Sequence, residues 1–292
     1  MKLGLVLGGG GAVGIAWEIA LLAALEAAGV GLRHAGVVVG TSAGSIVGAQ
    51  VFGGRTFEAM LAEQRQTDQP AQMSVRSGGQ AANPDVKDLF AKLAGIQDRG
   101  ERGRLLGSLA LAAPPPFPEP MYLAMIQHTI QVSEWPVQMR FLPTGTDCHS
   151  GERVVFEADM DVPLVTAVAA SCCVSSLVPA VTIKGRRYID GGCGSSSNAD
   201  VLLGTGVDKA IFIGPFGGPE SPPLPTAAQC LSEELTLLSN AGIQTLVITP
   251  AAKLAQRVGT DFLNPALRPV GVECGTEDGR RAVERVGRFL RT

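Results

Sequence analysis

Residues 3–30 read LGLVLGGGGAVGIAWEIALLAALEAAGV, with four consecutive glycines, Gly8–Gly11, between a short apolar run and a long one. Leu3–Leu7 suits a strand buried on both faces. From about Gly14 to Ala28 apolar residues fill nearly every position, and only Glu18 and Glu26 are charged. Such a helix is buried almost all round, and Gly29 is a natural stop. The plan repeats at 36–51, GVVVGTSAGSIVGAQV: β-branched Val37–Val39, a Gly-rich turn, and a small-residue helix from about Ala43 to Phe52. Two strand–turn–helix units in tandem imply parallel strands with both turns at one edge of an α/β sheet.

Gly9, Gly11 and Gly14 satisfy the dinucleotide spacing G-x-G-x-x-G. A dinucleotide would also need an acidic residue about 20 positions on, at the end of the second strand. That strand ends in Val39-Gly40-Thr41-Ser42, and Glu26 sits inside the helix. A plain flexible turn accounts for one or two glycines, but not for four at a helix N-terminus. Such a run leaves backbone N–H groups free to converge on a developing negative charge. The source of that charge lies further along the chain. Gly40-Thr41-Ser42-Ala43-Gly44 matches the G-x-S-x-G nucleophile elbow, and it stands between a β-branched strand and a helix as that motif requires. The amides of Gly9, Gly10, Gly11 and Ala43 are then candidate oxyanion donors around an ester carbonyl attacked by Ser42.

A serine hydroxyl needs a base. The order Ser, acid, His is not met downstream, because the three histidines are His34, His128 and His149 and none lies in the last 140 residues of the chain. Surface positions account for all three, although chain order alone leaves a triad through His128 or His149 open. RRYIDGGCGSSSNAD, residues 186–200, offers another base: Asp190 ends a strand signal, and Gly191 and Gly192 let the chain turn sharply beside its carboxylate. D-G-G is also a common turn with no further role.

Composition excludes several classes. With 292 residues, 46% apolar and 17% charged, the chain can bury a large core. A net charge of −3, with no basic cluster beyond Arg186–Arg187 and Arg280–Arg281, argues against nucleic acid and against strong attraction to anionic membranes. The apolar run Ile19–Leu25 is too short to span a bilayer, and four glycines and Glu18 interrupt the core a secretory leader needs. The cysteines at 148, 172, 173, 193, 230 and 274 show no C-x-x-C spacing, which fits reduced thiols in a cytoplasm. No metal-binding pattern is present, and neither metal nor cofactor is expected. Further strand signals lie at 137–142, 153–156, 181–183, 186–189, 208–213 and 245–248, and helix patterns at 163–170, 226–241 and 277–290, with a weak one near 85–94. The expected organisation is one domain over 1–292 with an insertion at about 64–125. Within it, residues 105–126 are apolar on both sides of a proline loop, which suits a lid, an acyl-pocket wall or plain packing.

Taken together, Gly9-Gly10-Gly11-Ala12-Val13-Gly14, Gly40-Thr41-Ser42-Ala43-Gly44 and Asp190-Gly191-Gly192 resemble, in that order, the three motifs of the patatin-like phospholipase family. TGTDCHSGERVVF and AVAASCCVSSLVPAVTIKGRRYIDGG also resemble family segments; the likeness covers about 1–55 and 137–215 well, and does not place 56–136. The resemblance implies a three-layer α/β/α fold with a mostly parallel sheet. It also implies a Ser–Asp dyad without histidine, with Ser42 as nucleophile, Asp190 as base and the Gly-rich loop as oxyanion hole. Gly14, Gly40, Gly44, Gly191 and Gly192 support the motifs. The implied substrates are acyl ester lipids, phospholipid or lysophospholipid, with transient membrane-surface contact left open. An esterase or acyltransferase using the same residues, and a catalytically silent lipid-binding homologue, are the alternatives. One departure stands out: the family's Arg or Lys is Val13 here. Because the donors are backbone amides, a cation restored at position 13 is expected to be compatible with folding and to alter rate or head-group preference.

Overall fold

The computed structural model describes residues 2–66, 93, 95–112, 114–175, 177–222, 224 and 226–292. Its centre is an eight-stranded sheet: β1 Leu3–Leu7, β2 Val37–Thr41, β3 Arg140–Asp147, β4 Arg153–Val155, β5 Val181–Ile183, β6 Arg186–Asp190, β7 Lys209–Ile213 and β8 Gln244–Ile248. The order is β5-β6-β3-β2-β1-β7-β8, with β4 paired to β3. Neighbours from β3 through β8 run parallel, whereas β4, β5 and β6 are joined by antiparallel pairings. The fold is α/β with a central, mostly parallel sheet flanked by helices.

Alternation along the strands builds two cores. Leu3, Leu5, Leu7 and Val38 face one, while Val6, Val37, Val39 and Phe212 face the other. On the first side lie α1 (Gly11–Ala27), α2 (Ala43–Phe52) and α3 (Phe57–Arg65). After them in the chain come α4 (Arg99–Ala112), α5 (Glu119–Ile130) and α6 (Leu164–Ser171). The second side is covered by a 3₁₀ turn, Ala199–Leu202, and by α7 (Ala227–Asn240). The helix α8 (Ala252–Val258) and the long α9 (Arg268–Arg291) complete the chain. No described helix is long and apolar enough to cross a membrane.

The strand signals meet β4 to β8 closely, but β3 starts later than the pattern at 137–142 and runs on to Asp147 through Pro143 and Gly145. The helix signal near 85–94 lies, except for Leu93, outside the described residues. Within 105–126, part of the apolar stretch is core. Tyr122 is fully buried, donates a hydrogen bond from its hydroxyl to the Ala169 carbonyl (3.1 Å), and shares the first core with Ile126 and Ile130.

The helix expected at 277–290 begins earlier, at Arg268. Glycines at 271, 275 and 279 mask its start in the sequence, since each lowers helix propensity. In the fold they form a stripe that lets α9 lie directly on the backbone of α1. A Cβ on Gly271 would stand 2.7 Å from the Val13 carbonyl oxygen, one on Gly279 2.8 Å from that of Leu21, and one on Gly275 against Trp17. The Trp17 indole N–H donates to Asp278 (2.9 Å) across the same contact. This double-sided packing explains why α1 is apolar all round. We expect Gly275→Ala to lower the thermal midpoint by an amount equivalent to about 1–3 kcal/mol, despite the better helix propensity of alanine, because the obstruction is backbone. An unchanged or raised midpoint in a thermal melt would contradict so close a crossing.

Candidate active site

The turns after β1 and β2 meet at one edge of the sheet. The Gly44 amide donates to the Gly8 carbonyl (3.0 Å), and a Cβ on Gly44 would collide with the Leu7 carbonyl, so only glycine permits this approach. Between β2 and α2, Ser42 adopts φ 52° and ψ −115°, a conformation that a non-glycine residue enters at a cost of roughly 1–3 kcal/mol. Hydrogen bonds hold it there. Its N–H donates to Ser171 Oγ (3.0 Å), which also bonds Ser45 Oγ (2.7 Å). Its carbonyl accepts from the Ser45 amide (2.9 Å) and from Cys172 Sγ (3.1 Å).

The antiparallel part of the sheet brings Asp190 to the same place. Thr41 pairs with Thr144, and β3 continues beyond β2 to Asp147. The strand β6 returns along that extension, so that its last residue, Asp190, sits opposite Gly145. The Asp190 backbone is fixed by its amide to the Cys173 carbonyl (2.9 Å) and by the Thr146 hydroxyl to its own carbonyl (3.0 Å). Its carboxylate accepts from the Gly192 amide (2.7 Å) and lies within hydrogen-bonding reach of the Ser42 side chain. Burial raises the Asp190 pKa, and the bonds from Ser42 and Gly192 oppose the rise, leaving it at about 6. Burial, with the nearby Asp190 charge adding to it, pushes the thiols of Cys172, Cys173 and Cys193 well up. They remain S–H groups, so the ionisable carboxylate beside Ser42 is the only one of these neighbours able to take a proton near neutrality.

Four candidate oxyanion donors reduce to three. The Gly9 amide donates to the Ser196 carbonyl (2.8 Å), although Gly9 itself borders Ser42, its Cβ position lying 3.6 Å from Ser42 Cβ. Gly10 and Gly11 open α1 and Ala43 opens α2, where amides have no intrahelical acceptor. None of the three has a protein acceptor among the described residues. Gly11 takes φ +57° beneath the Phe262 carbonyl, a left-handed conformation that favours glycine. Gly14 lies between Pro215 and Ala43, Gly40 beneath Ser45, and Gly191 on Thr144. His34, His128 and His149 are exposed. Among the described residues no cluster of His, Cys, Asp and Glu could hold a metal ion.

Ser171 and Cys172 escaped the motif reading. Their only trace was the resemblance of AVAASCCVSSLVPAV to a family segment, with no roles attached. The expectation for position 13 is corrected: Val13 is fully buried in the first core, and its amide donates to the Phe262 carbonyl (3.1 Å). An arginine there would carry its charge into apolar surroundings, not toward the glycine loop. Val13→Arg is therefore expected to destabilise the fold by on the order of 3–5 kcal/mol, read as a lost or strongly lowered thermal midpoint.

Glu18, on α1, is fully buried and neither carboxyl oxygen has a hydrogen-bond partner. Burial pushes its pKa well above the carboxylate range, with a weaker opposing contact from the Gly8 backbone, so it is kept neutral under the glycine loop. The folded state thus holds this proton more tightly than the unfolded chain. The group's contribution to stability is full below its unfolded pKa of about 4.3 and falls as pH rises above it. Glu18→Gln removes that titration, so its stability should gain on the parent protein between pH 4 and pH 8. Parallel unfolding curves for the two at every pH would contradict a buried neutral acid.

The fold and the site together place a strained serine, a buried aspartate and free amides at one sheet edge. The family model for patatin-like phospholipase matches residues 5–203, and the chain belongs to the patatin-like phospholipase family. Solved structures similar to it include the following two. The type III effector protein ExoU is 17% identical, with 98% of this chain and 53% of that chain covered and a TM-score of 0.40. VipD from Legionella pneumophila is 12% identical, with 97% and 66% covered and a TM-score of 0.44. The chain thus spans about half of the first and less than two thirds of the second. A search of curated protein sequences found no match.

Proposed function

We propose that the protein is a serine acyl hydrolase that cleaves acyl ester bonds of lipids, phospholipid or lysophospholipid, through a Ser42–Asp190 dyad. The observation that carries this reading is the strained Ser42 beside the buried Asp190 carboxylate, with the Gly10, Gly11 and Ala43 amides unoccupied. Family membership supports lipid hydrolysis independently of that geometry.

In this mechanism Asp190 accepts the Ser42 proton as Oγ attacks the ester carbonyl carbon. The carbonyl oxygen becomes an oxyanion held by the three amides, a contribution for which losing one donor typically costs about 10²- to 10³-fold in rate. Collapse of the tetrahedral intermediate breaks the bond to the alcohol, which leaves with the proton returned by Asp190. Water, activated by the same carboxylate, then releases the acyl group. Six free cysteines are compatible with a cytoplasmic location. Leu109, Leu111 and Met121 are exposed on either side of the proline-rich stretch, whose one charged residue is Glu119, and we assign transient membrane-surface contact to them.

A fluorophosphonate is expected to label the protein at Ser42, with intact mass unchanged for Ser42→Ala. Equal labelling of both would overturn the nucleophile. Since Asp190 must be ionised to accept a proton, kcat/KM should fall below an apparent pKa of about 6 and plateau above it. Asp190→Asn should lose about 10²- to 10⁴-fold in rate, while replacing His34, His128 and His149 together should leave turnover near the parent value. A folded but inactive triple-histidine variant alongside an active Asp190→Asn would point to a histidine triad instead.

A further inference from the structure

Asn198 stands at the head of the 3₁₀ turn that covers the second face of the sheet. It is 2% exposed and has φ 51°, a left-handed conformation. Its side-chain amide nitrogen lies 2.6 Å from the Ser195 carbonyl oxygen, 3.0 Å from Thr41 Oγ1, 3.3 Å from Thr144 Oγ1 and 3.4 Å from the Gly191 carbonyl oxygen. Its Oδ1 accepts from Arg153 Nη1 (3.1 Å). These partners fix the amide's orientation, because exchanging N and O would set an oxygen against two carbonyls and leave the guanidinium facing a donor.

Two of these partners are the immediate chain neighbours of the two groups proposed to react. Thr41 precedes Ser42, and Gly191 follows Asp190. A directed chain of hydrogen bonds runs from the amide to the Thr41 hydroxyl, on to the Thr144 hydroxyl (2.9 Å) and then to the Gly40 carbonyl (3.3 Å), inside the elbow itself. The residues flanking Asn198 are anchored in turn. The fully buried Glu234 of α7 accepts from Ser197 Oγ (2.5 Å) and the Ala199 amide (2.8 Å), and Arg99 Nη1 pairs with it at 2.7 Å.

We propose that Asn198 is a positioning residue whose side-chain amide fixes the spacing and alignment of Ser42 and Asp190 by bonding to the elbow and to the acidic turn at once. This rests on the dyad reading. A general base works only within hydrogen-bond reach of the proton it takes. The sheet sets that reach only coarsely here, because Ser42 and Asp190 each lie just past or at the end of a strand. The amide bridges the two turns where strand pairing has stopped. Misplacement of reacting groups by about 1 Å costs on the order of 10²-fold in rate.

The test compares Asn198→Ala, Asn198→Asp and Thr41→Val with the parent protein, on a soluble ester and by the rate of fluorophosphonate labelling. Thermal melts set the assay temperature well below each midpoint. Asn198→Ala should lower kcat by about 10- to 100-fold with KM within about twofold. It should also move the acid limb of kcat/KM above pH 6, because a loosened Ser42 no longer lowers the proton affinity of Asp190. The other titratable groups facing Asp190, the thiols of Cys172, Cys173 and Cys193 and the Tyr122 phenol, are all pushed up and stay protonated through this range. Asn198→Asp keeps the shape but loses both donors, so it should be as slow as the alanine variant; near-parent kcat would show that the side chain only fills space. Thr41→Val, which carries the test if Asn198→Ala does not fold, should lower kcat by about tenfold. The Thr41→Val and Asn198→Ala effects should combine to less than their product, as for residues in one network. A parent protein labelled at Ser42, together with folded variants that keep its kcat and acid limb, overturns the positioning role alone. A parent protein not labelled at Ser42 overturns the dyad and the positioning role with it.

Discussion

Everything at the site depends on the approach of one glycine turn to another. Gly44, in the first turn of α2, donates its amide to the Gly8 carbonyl, and the space a side chain would need is taken by the backbone of Leu7. Parallel pairing of β1 and β2 brings the two turns to one edge, and this contact locks them together. Without it, the free amides that open α1 would not border Ser42. A side chain at position 44 would not simply weaken a contact; it would separate Ser42 from the amides that open α1.

The strain at Ser42 is offset by partners drawn from distant parts of the chain. Ser171 and Cys172 secure the peptide on either side of it, while β6 supplies Asp190 from the antiparallel side of the sheet. The mixed sheet has a geometric consequence. Its parallel half aligns two helix N-termini, and its antiparallel half turns a strand back so that a carboxylate ends level with them. The thiols around Asp190 add bulk and hydrogen bonds without adding a second anion, which keeps the carboxylate buried but able to ionise near neutrality.

The parts legible in the sequence were those whose chemistry is local. Ser42 within its elbow, the glycines ahead of α1 and Asp190 before its paired glycines each carry their signal within five or six residues, and periodicity marked most strands. Contacts between distant segments were not legible. The Gly9 amide is taken by Ser196, a residue that no spacing rule links to it. Val13 occupies a motif position that ordinarily carries a cation, yet its direction is set by the way α9 packs on α1. The same packing concealed the start of α9, because glycines that weaken an isolated helix are what allow this one to lie close. Asn198 followed the acidic turn in plain view, but its role depends on Thr41 and Thr144, which sheet pairing alone brings near it.

The central claim is that acyl transfer passes through the Ser42 oxygen with Asp190 as its proton acceptor. Acid-quenching the protein during turnover of a short-chain ester, followed by peptide mass analysis, observes the transfer itself. The account predicts an acyl adduct on the peptide containing Ser42, with its formation slowed in Asp190→Asn. An adduct on Cys172, whose sulfur lies 3.1 Å from the Ser42 carbonyl oxygen, or turnover with no adduct on Ser42, would contradict it.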